Sequence, residues 1–223
     1  MTKLLYDYWC NHLTEVGCTW RREDYDARVI VKGLKQEEFK GYLSAKIGKV
    51  DRQFDKDNIE ELIKLIMPAI GRALRDDIKE PISIVPIPNS GMAVDYSGPF
   101  RSVELARMVA TGYGDGASFC PAIRWDSPRS KSHQSHDYRH PDLYEPHMVL
   151  VEKPKSPIVL FDDVLTSGSQ MIAAARLLTK LGLPPGRGLV VAKATKLQLD
   201  GPLYQKRQGE LELSEEPIEF DDF

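Results

Sequence analysis

The residues best equipped for chemistry are two neighbouring acids, Asp162 and Asp163, followed at once by Val164, Leu165, Thr166, Ser167, Gly168 and Ser169. Paired carboxylates suit the vicinal hydroxyls of a sugar or a phosphate-bound magnesium ion. Small hydroxyl residues and a glycine at the start of a helix suit a phosphate. Unpaired backbone N–H groups and the helix dipole favour an anion there, and Gly168 lets the backbone approach it closely. A ribose 5-phosphate meets both demands. An ordinary strand-to-helix turn with an Asp cap would share these residue types without requiring their order.

The surrounding sequence supplies the elements that must hold these groups. Ile158 to Phe161 are consecutively apolar and partly β-branched, as in a parallel strand covered on both faces, and the carboxylates are expected just past its end. Beyond Ser169, the apolar residues Met171, Ile172, Ala175, Leu178 and Leu181 fall at helical spacing, and Gly182 with Pro184 ends the helix. Thr166 to Ser169 therefore sit at a helix N-terminus.

A second loop, Val85-Pro86-Ile87-Pro88-Asn89-Ser90-Gly91, follows a strand predicted over 82–87, and its prolines and glycine suit a tight turn that exposes N–H groups. A third candidate is the polar stretch 124–146, which holds Arg124, Arg129, Lys131, Gln134, Arg139 and several histidines. A stretch of that length in a compact domain is either functional or a solvated surface loop. His133, His136, His140 and His147 match no standard zinc spacing. Cys10, Cys18 and Cys120 are odd in number and lack a CxxC pair, so they are expected to be reduced and structural.

The fold expected is α/β, a parallel twisted sheet flanked by helices, with an N-terminal helical or mixed section. Residues 1–80 open with Tyr6, Tyr8, Trp9, Trp20 and Tyr25, read as core or a partner interface. A short strand or buried turn is expected at 27–31, a short helix at 36–47, and an amphipathic helix from Ile59 to Leu74 opened by Asp57 or Asn58. Over 81–197 strands alternate with helices: strands at 118–125, 147–151 and 188–194, and a helix at 100–110. Residues 198–223 are polar and acidic and read as a solvated or partner-bound tail.

The chain has 223 residues, 42% hydrophobic and 28% charged, with a formal net charge of -3. That is enough for one substantial core, and no apolar run approaches a membrane span. A surface built wholly for nucleic acid is not indicated. Without the basic and apolar sections of a secretory signal at 1–7, the expected location is cytoplasmic.

The segment Pro157 to Ser169 closely resembles the signature of type I phosphoribosyltransferases, which bind 5-phosphoribosyl 1-pyrophosphate (PRPP): hydrophobic strand, two acids, hydrophobic pair, then Thr, Ser, Gly and a small residue. The resemblance implies that Asp162 and Asp163 hold the ribose hydroxyls and, mainly through ligand and water, Mg2+. It places the 5-phosphate on Val164 through Ser169. It also implies pyrophosphate contacts from Asn89, Ser90, Gly91, Arg101 and Gln134, and reaction-centre roles for Lys131 and Arg139 in a loop that closes over the site. The VPxP segment and its spacing are similar to ComF-type proteins of the same superfamily. The chain departs from them in lacking an N-terminal zinc-binding cysteine set and basic residues directly after Pro88. By resemblance the ligands are PRPP or a nucleoside monophosphate and a nucleobase or other acceptor, with a homodimer or an operon-encoded protein as possible partner. Three activities fit: a magnesium-dependent phosphoribosyltransferase, a non-catalytic PRPP- or nucleotide-sensing regulator, and an effector subunit of a bacterial defence or toxin operon.

Overall fold

The apolar runs assemble into a central sheet with helices on both faces, described by a computed structural model for residues 2–15, 17–95, 98–129, 140–155, 157–198 and 203–213. The elements are β1 (Lys3–Tyr8), β2 (Cys10–Leu13), α1 (Arg22–Leu34), β3 (Leu43–Ile47), β4 (Val50–Phe54), α2 (Ile59–Ile78), β5 (Ile82–Pro86), α3 (Arg101–Tyr113), β6 (Ala117–Phe119) and β7 (Ile123–Trp125). Two 3-10 turns (Pro141–Leu143 and Glu145–His147) then lead to β8 (Met148–Leu150), β9 (Ile158–Leu165), α4 (Ser169–Lys180), β10 (Arg187–Thr195) and β11 (Arg207–Glu212).

The main sheet runs β11-β1-β10-β9-β5-β6, and β2 extends β1 along β10. All its pairings are parallel except β1 with β11. One face is covered by α1, α2 and α3, whose Ile30, Ile63, Met67, Leu105 and Val109 meet Phe161 and Leu189. The other is covered by α4 and the antiparallel pair β7–β8, through Ile172, Leu178, Trp125 and Met148 packed on Leu160 and Val190. Burial on both faces accounts for the uninterrupted apolar character of β5 and β9. Among the described residues, no helix is long and apolar enough to cross a membrane.

Several expectations are corrected. Residues 27–31 belong to α1, because Ala27, Ile30, Val31 and Leu34 form one helical stripe against the sheet despite their β-branched content. No helix forms at 36–47; a loop leads there into β3, which pairs with β4. The strand expected at 118–125 splits into β6 and β7 around Pro121, which cannot donate to a ladder. The strand at 147–151 pairs antiparallel with β7, outside the main sheet. The supposed tail contributes β11, whose residues 207–212 pair with β1, and β1 and β2 put the N-terminal section into the same sheet. The sheet therefore crosses the boundaries expected after residues 80 and 197. Residues 214–223 lie outside the described residues. Of the opening aromatics, Tyr6, Tyr8 and Trp9 are core, whereas Tyr25 is exposed.

An ionic knot secures this added edge. Asp7, fully buried on β1, accepts from Arg187 Nη1 of β10 at 3.0 Å and from Gln208 Nε2 of β11 at 3.1 Å, with Lys206 Nζ at 3.6 Å. Lys206 and Arg187 also pair with Asp77 of α2.

Helices α2 and α3 touch backbone to backbone. A Cβ at Gly71 would collide with the Val109 carbonyl, and one at Gly112 with the Pro68 carbonyl. Gly71→Ala is therefore expected to destabilise the protein by about 1–3 kcal/mol, although alanine favours a helix by about 1 kcal/mol over glycine. Urea denaturation checks this: a lowered midpoint is expected, and an unchanged or raised one would mean that the helices do not meet there.

Candidate active site

Strand order fixes where a ligand can enter. From β5 the chain passes through α3 to β6 on one side, and from β9 it passes through α4 to β10 on the other. The carboxyl ends of β5 and β9 thus flank a switch point, where the diverging connections leave a crevice. β5 pairs with β9 only as far as Phe161, whereas β10 follows β9 to Leu165. The strand consequently runs through Asp162 and Asp163, four residues beyond the expected end. Both acids fall just where their β5 neighbour turns away.

Asp162 and Asp163 are half-buried and tied to their own backbone. Asp162 Oδ1 accepts the Asp163 N–H at 2.9 Å, and Asp163 Oδ1 accepts the Val164 N–H at 2.8 Å. Burial raises the Asp162 carboxyl well above its usual range, and the adjacent Asp163 charge adds to this; the Asp163 N–H and the Lys35 ammonium oppose it. Two carboxylates held side by side with so little compensation favour an incoming cation or hydroxyl donors. Among the described residues no three His, Cys, Asp or Glu converge as a metal cage. The pair suits magnesium that arrives on a phosphate and is held by one or two carboxylates.

The folded pKa of Asp162 lies above its unfolded value, so its contribution to stability is complete below the ordinary Asp range, near 3.8, and is lost as pH rises through the folded pKa. Asp162→Asn is accordingly expected to raise the thermal midpoint of the ligand-free protein at pH 7, by about 2–4 °C per kcal/mol relieved, and to lose that advantage toward pH 4. Thermal scans across that range test this; an unchanged or lowered midpoint at pH 7 would contradict it.

The loop after β9 follows the sequence reading closely. Gly168 caps α4 with φ 76°, and a Cβ there would meet the Leu211 side chain at 2.6 Å. A side chain at 168 would thus be strained by backbone and by packing. Ser167 Oγ and Ser169 Oγ lie 3.0 Å apart, and Thr166 is exposed. The first turn of α4 presents N–H groups without intrahelical partners beside these hydroxyls.

The acid pair, this loop and Asn89 to Gly91 line one cavity of about 1460 Å3. The 89–91 loop is folded on itself: Asn89 Oδ1 accepts the Gly91 N–H at 3.2 Å, while its carbonyl accepts Trp125 Nε1 at 2.7 Å. Arg101 lines the same cavity. Its guanidinium donates to the Leu34 carbonyl at 2.9 Å, to Glu60 at 2.6 Å and to Glu104 at 2.8 Å, so its charge fastens the end of α1 to the start of α3. Lys131, Gln134 and Arg139 lie outside the described residues, as do His133 and His136.

Two further cations line the cavity. Lys35 follows α1 and faces the Asp162 side. Arg129 is fixed by its own N–H to the Ser90 carbonyl at 2.9 Å, and its guanidinium lies 5.3 Å over Trp125 and 5.8 Å over Tyr144. Sequence reasoning gave Lys35 no role because residues 27–31 read as a strand and not as the helix that Lys35 follows; Arg129 belongs to the polar stretch 124–146 that the sequence singled out.

No protein-family model and no curated protein matches the sequence. Among solved structures, the chain is similar to an adenine phosphoribosyltransferase at 15% identity, covering 74% of this chain and 89% of that one, with a TM-score of 0.38. It is similar to the orotate phosphoribosyltransferase from Aeropyrum pernix at 14% identity, covering 75% and 83%, with a TM-score of 0.37.

Proposed function

We propose that the protein binds PRPP with magnesium and transfers its phosphoribosyl group to a nitrogen of an acceptor, displacing pyrophosphate. The observation that carries this reading is the convergence of the Asp162–Asp163 pair and the Thr166–Ser169 loop on one cavity at the β5/β9 switch point. The loop and the first turn of α4 hold the 5-phosphate, and the two carboxylates take the ribose hydroxyls. As the bond from the anomeric carbon to pyrophosphate breaks, positive charge develops on the sugar, which carboxylates beneath it favour. Magnesium, when bound, offsets the charge of the pyrophosphate. Lys35 and Arg129 take the place of the basic residues missing after Pro88.

Titration calorimetry with PRPP, with and without magnesium, tests the binding, and pyrophosphate release over a panel of nucleobases tests transfer. Magnesium-dependent binding with release supports the transferase. Binding without release favours the sensing reading, in keeping with the engagement of Arg101 inside the fold. No binding would refute both.

A further inference from the structure

The loop between β9 and α4 is propped from behind by a residue outside the cavity. Gly168, the left-handed cap of α4, packs so closely on Leu211 of β11 that a Cβ at 168 would come within 2.6 Å of Leu211 Cδ2 and 3.3 Å of its Cδ1. A second tie lies just past the same strand. Arg176 of α4, only 7% exposed, donates Nε to the Leu213 carbonyl at 3.2 Å and Nη1 to Asp142 at 2.6 Å. Arg176 follows Ser169 by two turns, on the same side of the helix. The helix that opens at the loop is thus held to the C-terminal strand at its cap and again two turns later.

β11 itself is an edge strand. Among the described residues it pairs with β1 alone, and every second residue of it faces solvent. Strands with so few buried contacts open locally at a lower free-energy cost than the centre of a sheet. When β11 opens, Leu211 leaves Gly168, and a residue with φ 76° and no Cβ regains its conformational freedom. The anion seat at the start of α4 is built from N–H groups whose directions that backbone sets. The seat and the strand therefore share one contact.

We propose that Leu211 is a positioning residue for the 5-phosphate seat, so that docking of β11 on β1 and occupancy of the loop by a phosphate stabilise each other. Leu211 does not line the cavity and acts through Gly168. The inference rests on the reading of Thr166–Ser169 as the place of the 5-phosphate. The coupling is reciprocal: a phosphate that fixes the loop holds β11 in the sheet, and whatever draws β11 from β1 releases the phosphate.

Hydrogen exchange on the full chain, with and without ribose 5-phosphate, tests the proposal when the peptides covering 164–172 and 207–213 are read separately. Both segments are expected to slow with the ligand. At ribose 5-phosphate a hundred times its Kd, the β11 amides should slow by up to about 100-fold. Calorimetry with the same ligand supplies a second readout. Leu211→Ala should weaken binding by about 10-fold, as when the competent loop falls to about a tenth of the population. Leu211→Met, which keeps the volume, should recover most of that affinity, and thermal scans confirm that both variants are folded at the assay temperature. The proposal is overturned, with the 5-phosphate site left standing, if the loop is protected while β11 is not, if Leu211→Ala binds as tightly as the parent, or if Leu211→Met is as weak as Leu211→Ala. A loop that ribose 5-phosphate leaves unprotected would instead refute the 5-phosphate reading, and the proposal with it.

Discussion

Replacing both acids of the pair, Asp162→Asn with Asp163→Asn, is expected to lower the affinity for magnesium-PRPP by at least about 100-fold while the protein stays folded. Hydrogen bonds to a charged group contribute about 1.5–3 kcal/mol each, and 100-fold corresponds to about 2.7 kcal/mol. Two such groups face the cavity, so the loss should reach that size even if the amides keep part of the bonding. Asparagine preserves the shape of the side chain and can still accept the N–H bonds that Asp163 and Val164 now donate. Relief of the repulsion at Asp162 works in favour of the variant's stability, so lost affinity cannot be blamed on unfolding. Calorimetry beside a thermal scan separates the two. Retained magnesium-dependent binding in the double variant would remove the acid pair from the site.

The largest effect on stability is expected at Asp7, far from the cavity in sequence. Asp7→Ala leaves Arg187 and Lys206 facing an uncharged pocket and removes the acceptor of Gln208. Breaking a buried ion pair from one side costs about 3–5 kcal/mol. The lower end applies, since Arg187 and Lys206 keep 24% and 29% side-chain exposure and a second partner in Asp77. A midpoint drop of about 6–12 °C follows at 2–4 °C per kcal/mol. Asp7→Leu with Arg187→Met should recover much of that loss, because an apolar pair of similar volume need not be solvated. If Asp7→Ala melted like the parent, the knot would not hold the edge of the sheet.

The turn from β9 into α4 was legible in the sequence because its constraints are local. A buried strand, two acids, small hydroxyls, one glycine and a helical stripe follow one another without a gap, and each residue type has a reason within a few neighbours. Gly168 is the clearest case, needed both for its left-handed backbone and for the closeness of Leu211. What the sequence concealed is decided at long range. Ala27 to Val31 contains three β-branched residues and suggests a strand; only the sheet behind Ile30 and Leu34 makes the helical stripe pay. That misreading also hid Lys35. The ties of Arg101 were hidden because its partners, Glu60 and the carbonyl of Leu34, lie 41 and 67 residues away. β11 looked like a tail because its alternate residues face solvent, as an edge strand's do.

The placement of β1 bears on how the protein is made. Residues 3–8 lie between β10 and β11, and Asp7 waits for partners 180 and 201 positions later. At about 5–20 residues per second, β1 leaves the ribosome roughly ten to forty seconds before the strands that flank it. Tyr6 and Tyr8 must spend that interval without their sheet, while α1, α2 and β5 can already associate. The order of emergence thus opposes the order of assembly, and β11, made some two hundred residues after β1, closes over it.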